Sequence, residues 1–284
     1  MKLRLMNDVA FHFVFGRESR KYNLLNLLNA ILAKTEQTPI QDLTLEEIEL
    51  KAETLGLKSC RLDIRALTSH NHHINIEVQL LNQGNMEKRS LYYWSKLYTE
   101  QLSEGQDYSE LHKTIAINIL DFPYLTNDKV HSIYRVLETE TLTELSDMLE
   151  IHFLELPRLN ERPYDLDCPL TRWLLFLSDQ TSQELKEAIL VRDENIRHAY
   201  EDLEKLAADK NARRQYELRE KAALDYRSSM YTARKEGREE GREEGAHLER
   251  IRLVKKMLAG GLGEDFIKET VGLTQAELDE IKRT

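Results

Sequence analysis

The sequence predicts an α/β fold, with a mixed sheet, flanking helices and a helical C-terminal region. Three observations lead to this class. Leucines at helical spacing fill 24–32, apolar and polar residues alternate through RLDIRALTSHNHHINIEVQL at 61–80, and a proline-free run with charges of both signs begins at 184. Helical and strand-like patterns therefore alternate before a long helical region, as in α/β proteins with an accessory part.

The first predicted elements are one helix and three strands. The helix at 24–32 has a broad apolar face and ends before Pro39. EIELKAE at 47–53 predicts the first strand. The alternating stretch at 61–80 predicts two more strands joined by a polar turn, because apolar residues at every second position line one face of a strand.

A second helix and further strands complete the predicted sheet. EKRSLYYWSKLYTEQL at 87–102 places apolar residues at helical spacing. TIAINILDF at 114–122 is a compact apolar run, typical of a buried strand. The stretches 133–139 and 148–156 add two strands. The predicted order is helix, three strands, helix and strand, followed by additional strands.

The chain is predicted to divide into three parts. An α/β domain covers 1–160, and a helical accessory region covers 161–236. The last part, 237–284, contains a glycine-repeat helix and a tail similar to a helix-turn-helix unit. Thr274 and Glu277 form a capping-box sequence inside that tail.

Three glycines recur every fourth residue in KEGREEGREEG: Gly237, Gly241 and Gly245. On a helix they form one stripe that permits close approach of a second helix, although each glycine costs about 1 kcal/mol relative to alanine. Either the stretch is a charged linker, or a partner helix offsets that cost. The second alternative predicts a homodimer through the C-terminal helical region.

Composition narrows the class of protein. The 284 residues carry a formal net charge of −10, which argues against a large basic nucleic-acid surface but permits a local one. No apolar run approaches the roughly 18 residues that span a bilayer, so no membrane association is expected. The N-terminal sequence does not resemble a signal peptide, and the cytoplasm is the expected location. Cys60 and Cys168 predict neither a disulfide framework nor a zinc site.

The alternation at 61–80 places three polar residues on one strand face: Asp63, Glu77 and Gln79. Two carboxylates on adjacent strands, with the main-chain carbonyl of Val78, would offer the oxygen ligands that Mg²⁺ prefers. Acidic residues are also common on the solvated face of an antiparallel hairpin. Alternation alone favours that simpler, solvent-exposed interpretation.

The order of the motifs resembles the core of the PD-(D/E)XK nucleases. More narrowly, the chain is similar to the recombination-promoting nucleases of the Rpn type, also described as PD-(D/E)XK nuclease family transposases. The similar stretches are NDVAFHFVFG at 7–16, RLDIRA at 61–66, INIEVQ at 74–79, LYYWSKLYTEQLSEGQDYSEL at 91–111 and TIAINILDF at 114–122, together with the GREEG repeat and the GLT unit. The resemblance covers nearly the whole chain and assigns the nuclease domain to 1–160.

The resemblance implies a set of site residues. Asp63, Glu77 and Gln79 would be catalytic, and Asp63, Glu77 and Val78 would bind Mg²⁺ or Mn²⁺. Gln79 stands where the wider superfamily has lysine. A glutamine can orient a water molecule but supplies no positive charge.

Other polar residues allow two interpretations each. Asp8 is either an additional acid of the site or a helix-capping or surface-exposed residue. Arg89 and Tyr93 either contact phosphate or support the site, or they are ordinary packed and solvated side chains. The turn histidines are either metal ligands or solvated side chains, and these are His70, His72 and His73.

The function implied is metal-dependent hydrolysis of DNA phosphodiester bonds by an endonuclease linked to recombination or mobile elements. The alternatives are a catalytically weak or inactive nuclease-fold protein that acts as an assembly module, and an RNA nuclease using the same metal chemistry.

Overall fold

The computed structural model describes residues 3–46, 64–161 and 163–283. Their contacts divide the chain into two compact units, Met1–Lys221 and Ala222–Thr284. These units differ from the three predicted parts, and which stretches fold independently stays a prediction. Among the described residues, no helix is both long enough and apolar enough to cross a bilayer.

The first unit contains a six-stranded mixed sheet of order β1-β2-β3-β4-β6-β5. The first three strands pair antiparallel, β3, β4 and β6 run parallel, and β5 pairs antiparallel with β6. The strands are β1 Leu43–Glu46, β2 Ile64–Thr68, β3 His73–Gln79, β4 Thr114–Leu120, β5 His131–Leu137 and β6 Glu144–Glu155. The mixed sheet predicted from the sequence is confirmed.

Helices flank both faces of this sheet. The helices are α1 Asp8–Phe15, α2 Lys21–Leu32, α3 Met86–Thr99, α4 Pro169–Leu177, α5 Gln183–Arg192, α6 Glu194–Ala208 and α7 Lys210–Ala259. The α2 helix begins at Lys21, three residues before the apolar run at 24–32. The apolar pattern did not include these first residues because they are mostly polar. The predicted strand at 47–53 lies outside the described residues.

The main core lies between one sheet face and helices α1, α2, α4 and α6. Phe11, Leu28 and Trp173 are each at most 1% exposed, and they pack in one cluster with Ile76 of β3 and Ile117 of β4. Burial of each large apolar side chain stabilises the fold by about 1.5–3 kcal/mol. Because Trp173 belongs to this cluster, the helix α4, which lies after 160, shares the core of the sheet.

The opposite sheet face is covered by α3. Met86 begins this helix and packs with Ala116, Leu120 and Phe153 of the neighbouring strands. The half-buried Trp94 donates from Nε1 to the carbonyl of Thr114 at 2.8 Å and fixes the helix against β4. Polar residues on this face of β3 therefore lie beneath a helix.

The second unit contains the end of α7 with α8 Glu264–Val271 and α9 Gln275–Arg283. These three helices enclose a small apolar cluster of Val254, Ile267, Leu278 and Ile281. Gly272 ends α8 at φ 69°, a left-handed conformation that glycine adopts without strain. The hydroxyl and amide of Thr274 donate to Glu277, whose amide donates back to the hydroxyl, so the predicted capping box is confirmed.

The glycine repeat lies inside α7, so this stretch is helical and not a flexible linker. Gly237, Gly241 and Gly245 are exposed, and a Cβ atom at any of them would meet no atom within 4 Å. The stripe thus leaves an open surface on the helix.

Candidate functional site

The polar face of β3 is buried. Asn75, Glu77 and Gln79 are 4%, 2% and 8% exposed, while Ile74 and Ile76 point into the main core. Alternation correctly separated the two sets of side chains. The expectation of a solvated polar face is wrong, because α3 lies over it.

Arg89 of α3 links the two predicted site residues of β3. Its Nη2 atom lies 2.8 Å from Oε2 of Glu77, and its Nη1 donates to Oε1 of Gln79 at 3.0 Å. Arg89 is 9% exposed, so the ion pair with Glu77 is largely shielded from water. Its guanidinium carbon also lies 5.6 Å from the centre of the Tyr93 ring, a cation–π distance. Arg89 therefore packs between Tyr93 and the polar face of β3.

A second polar pair adjoins Glu77. Asn118 is the register partner of Glu77 on β4 and is 2% exposed. Ser90 donates to Oδ1 of Asn118 at 2.8 Å, and Nδ2 of Asn118 donates to the carbonyl of His152 at 3.1 Å. Sequence reasoning missed this pair. The available signal was an asparagine inside the otherwise apolar strand TIAINIL, which β4 places next to the acid.

The main chain of β3 directs the Val78 carbonyl away from β4. The carbonyl of Gln79 accepts from the amide of Asp121, which directly follows β4. Because successive carbonyls of a strand point to opposite edges, the carbonyl of Val78 points toward the β2 side. The described pairing between β2 and β3 ends at Ile64 opposite Ile76.

The predicted acid Asp63 lies outside the described residues. Asp8 lies in the first turn of α1, whose N-cap is Asn7. The Oδ1 atom of Asp8 accepts a hydrogen bond from the amide of Val9, and its Oδ2 atom pairs with Nε of Arg219 in α7 at 2.5 Å. These contacts favour the helix-terminus interpretation of Asp8.

The turn histidines do not form a simple solvated group. His70 and His72 are half-buried, and the Nδ1 atom of each lies 3.3 Å from a carboxylate oxygen of Glu36. These three residues are a group of nitrogen and oxygen donors that could hold a metal ion. Burial lowers the pKa of His72, which favours its neutral form. His73 instead contacts Glu46, and its hydrogen bond lowers the pKa of that carboxyl.

A chain of buried charged residues continues from Glu36 on the main-core face. Lys113 bridges Glu36 and Glu150, with Nζ 3.0 and 3.2 Å from their oxygens. Burial raises the pKa of Glu150, but the hydrogen bond from His152 and the nearby positive charges outweigh burial and lower it overall. His152 also lies 2.8 Å from Nε2 of His131. This network was not predicted from the sequence.

A model of the PD-(D/E)XK nuclease family transposases matches residues 5–233, well over half of the chain. The chain belongs to this family. The resemblance expected from the ordered motifs is therefore confirmed, and family membership supports a nuclease or transposase-like function. Neither a curated protein nor a solved structure gives a significant match to the chain.

In this member of the family, the fold joins a mixed sheet to flanking helices as expected. The matched range includes all of β3 and α3, which bring Glu77, Gln79 and Arg89 together. The best-defined candidate site of the described residues is therefore this buried cluster at the end of β3.

Proposed function

We propose that the protein is a metal-dependent endonuclease that hydrolyses phosphodiester bonds of DNA in recombination or mobile-element biology. The observation that carries the proposal is the pairing of Glu77 and Gln79 by a buried arginine, in a chain of a nuclease family. The cytoplasm is the expected location of this activity.

We propose that Asp63, Glu77 and the Val78 carbonyl hold the metal ion. Ile64 of β2 pairs with Ile76 of β3. In the sequence, Asp63 is the residue before Ile64, and Glu77 is the residue after Ile76. The direction of the Val78 carbonyl toward the β2 side supports its inclusion. Two carboxylates and a carbonyl are hard oxygen donors, which suit Mg²⁺ or Mn²⁺ better than softer metals. When bound, the metal would polarise the phosphate and lower the pKa of the attacking water.

Gln79 and Arg89 divide the task that a lysine would perform. Gln79 accepts from Arg89 through Oε1, which fixes its amide and leaves the NH₂ side as the donor for a water or phosphate oxygen. Arg89 supplies a permanent positive charge beside the acid and the amide. That charge would stabilise negative charge that develops on the phosphate. The glutamine variant is therefore compatible with catalysis.

The ion pair of Arg89 and Glu77 also favours a second candidate function. A guanidinium 2.8 Å from Glu77 neutralises the carboxylate that would bind the metal. A protein that keeps this pair closed would be a weak or inactive nuclease and would act as an assembly module, with dimerisation through the C-terminal helical region. Metal-dependent cleavage separates the two functions.

The test uses the purified full chain with duplex DNA, single-stranded DNA and RNA of one sequence. We expect cleavage of DNA in Mg²⁺ or Mn²⁺ and none in EDTA. Cleavage of RNA alone would reassign the substrate, and no cleavage of any substrate in either metal would favour the assembly module. Arg89→Lys should retain part of the activity, whereas Arg89→Gln should lose at least about tenfold in rate, because one charge-stabilising contact contributes on the order of 10²-fold or more.

A further inference from the structure

Glu36, His70 and His72 form a second group of metal-binding donors, on a different part of the sheet from Glu77. Glu36 follows the end of α2, and the two histidines lie in the turn between β2 and β3. Lys113 connects Glu36 to Glu150 of β6. Glu150 pairs in the sheet with Ile115, and Ile115 belongs to the main core. The group therefore belongs to the helix α2 side of the sheet, whereas Glu77 lies beneath α3.

The spacing of the donor atoms fits one small metal ion. Nδ1 of His70 lies 3.3 Å from Oε2 of Glu36, and Nδ1 of His72 lies 3.3 Å from Oε1. The three ligand atoms all lie within 4.8 Å of one another. Metal–ligand bonds of about 2.0–2.1 Å in a tetrahedron separate neighbouring donors by about 3.3–3.5 Å. Only small side-chain adjustments are needed to complete that geometry.

The turn that carries both histidines is held by its own hydrogen bonds. The Thr68 hydroxyl accepts from the amides of His70 and His72, and the Thr68 amide donates to the carbonyl of His72. Asn71 adopts φ 59°, the left-handed conformation that completes a short hairpin turn. The amide of Ser69 donates to the main-chain carbonyl of Asp42, which directly precedes β1. The two imidazoles are thus fixed on the same side of the turn before any ligand binds.

Glu36 is positioned by a buried cation. Lys113 is 6% exposed and lies 3.0 Å from Oε1 of Glu36, with its charge shared by Glu150. Carboxylates that ligate metals are commonly oriented by such outer partners. The Nδ1 atom of His72 is buried and lies 3.3 Å from Oε1 of Glu36, but the two atoms are not aligned for a hydrogen bond. A metal ion would satisfy this nitrogen.

We propose that Glu36, His70 and His72 bind a divalent transition metal of the Zn²⁺ class. Two imidazoles and one carboxylate favour such an ion over Mg²⁺, which prefers oxygen donors. Three protein ligands leave the fourth position to water. Binding ties the β2–β3 turn to the end of α2 and stabilises the fold by linkage. The proposal stands independently of the nuclease function.

The test titrates Co²⁺, a spectroscopic substitute for Zn²⁺, into the metal-stripped full chain with excess Mg²⁺ present. Mg²⁺ occupies oxygen-only sites, so the visible absorption of Co²⁺ reports nitrogen-containing sites. We expect one equivalent to bind, with affinity reduced on the order of 100-fold in His70→Gln and in Glu36→Gln. His73→Gln is the matched control in the same turn and should bind as the parent does.

Histidine NMR on the unmodified protein provides a measurement that needs no variant to fold. Zn²⁺ should shift the ring nitrogen signals of His70 and His72 and leave those of His73 unchanged. The proposal is overturned if Co²⁺ fails to bind, if His70→Gln binds as tightly as the parent, or if Zn²⁺ leaves both ring signals unmoved.

Discussion

At the scale of single residues, the buried ion pair of Glu77 and Arg89 determines how the candidate site responds to substitution. Glu77 of β3 and Arg89 of α3 face each other between the sheet and the helix, and both are at most 9% exposed. Removal of either partner leaves a charge in a region that water does not reach. Alternation alone favours a solvent-exposed Glu77, and the burial of Glu77 contradicts that expectation.

Glu77→Ala and Arg89→Ala should each lower the free energy of unfolding by about 3–5 kcal/mol, because each strands a buried charge. The double variant should lose less than the sum, since it strands neither charge. Urea denaturation of the four proteins measures this coupling. The exposed pair Arg65 and Glu100 is the control, and Glu100→Ala should cost about 1 kcal/mol or less. Additive losses for Glu77 and Arg89 would mean that the pair is not coupled.

His131 predicts a loss of stability in mild acid. Burial, together with the neighbouring His152 and Lys34, lowers the pKa of His131 to about 3. The folded-state pKa lies below the unfolded value of about 6.5, so the unfolded chain takes up the proton first. Stability is therefore complete above about pH 6.5 and falls as the pH decreases below that value.

The measurement is the free energy of unfolding between pH 7.5 and pH 5. His12 and His72 also have lowered pKa values from burial and contribute to the same decline. His131→Gln should remove one proton from the uptake that accompanies unfolding. The free energy of unfolding should then change less steeply with pH, by up to about 1.4 kcal/mol per pH unit. An equal slope in His131→Gln and the parent would contradict the buried neutral state.

The residue types of the site could be predicted, but their surroundings could not. Alternation and the ordered motifs identified Glu77 and Gln79, since a strand period of two is visible in sequence. The contacts of Arg89, Asn118 and Lys113 depend on which elements pack over which face. Those contacts join positions far apart in the chain, and no local pattern records them.

At the scale of elements, periodicity located most helices and strands of the described chain. The hairpin of β2 and β3, the helix α3 and the strand β4 were predicted close to their observed bounds. The capping box at Thr274 could also be predicted, because it depends only on the spacing of Thr274 and Glu277 in the sequence. In contrast, the packing of α4 on the main core depends on contacts between distant parts of the chain, which no local sequence pattern records.

The glycine stripe predicts that α7 mediates self-association. Gly241 faces open space, so a leucine there fits the isolated helix and raises its helix propensity. In a closely packed dimer the same leucine would separate the two helices. Sedimentation of the parent and Gly241→Leu should therefore show a dimer that dissociates more readily in the variant.

Glu243→Leu is the matched control for this experiment. Residue 243 lies about 200° around the helix from 241, so the leucine is added to the opposite face. This variant should associate as the parent does. A monomeric parent, or equal association of Gly241→Leu and the parent, would refute a glycine-mediated contact.

At the scale of the whole molecule, the candidate site and the glycine stripe belong to different compact units. Met1–Lys221 contains the sheet, α3 and the buried acid, whereas Ala222–Thr284 contains the stripe and the terminal helices. Cleavage chemistry and association should therefore be separable by substitution. Gly241→Leu is expected to retain the cleavage rate per chain when that rate is measured at saturating DNA.

The most direct measurement is the single-turnover rate of duplex DNA cleavage in Mg²⁺ by the parent, Asp63→Ala, Glu77→Gln and the exposed-residue control Glu104→Gln. Circular dichroism verifies that each protein is folded. The account predicts that both site variants lose cleavage by at least about 10³-fold, since each removes a proposed metal ligand, while Glu104→Gln cleaves as the parent does. Cleavage by folded Glu77→Gln at the parental rate would contradict the central claim that this buried acid carries the nuclease activity.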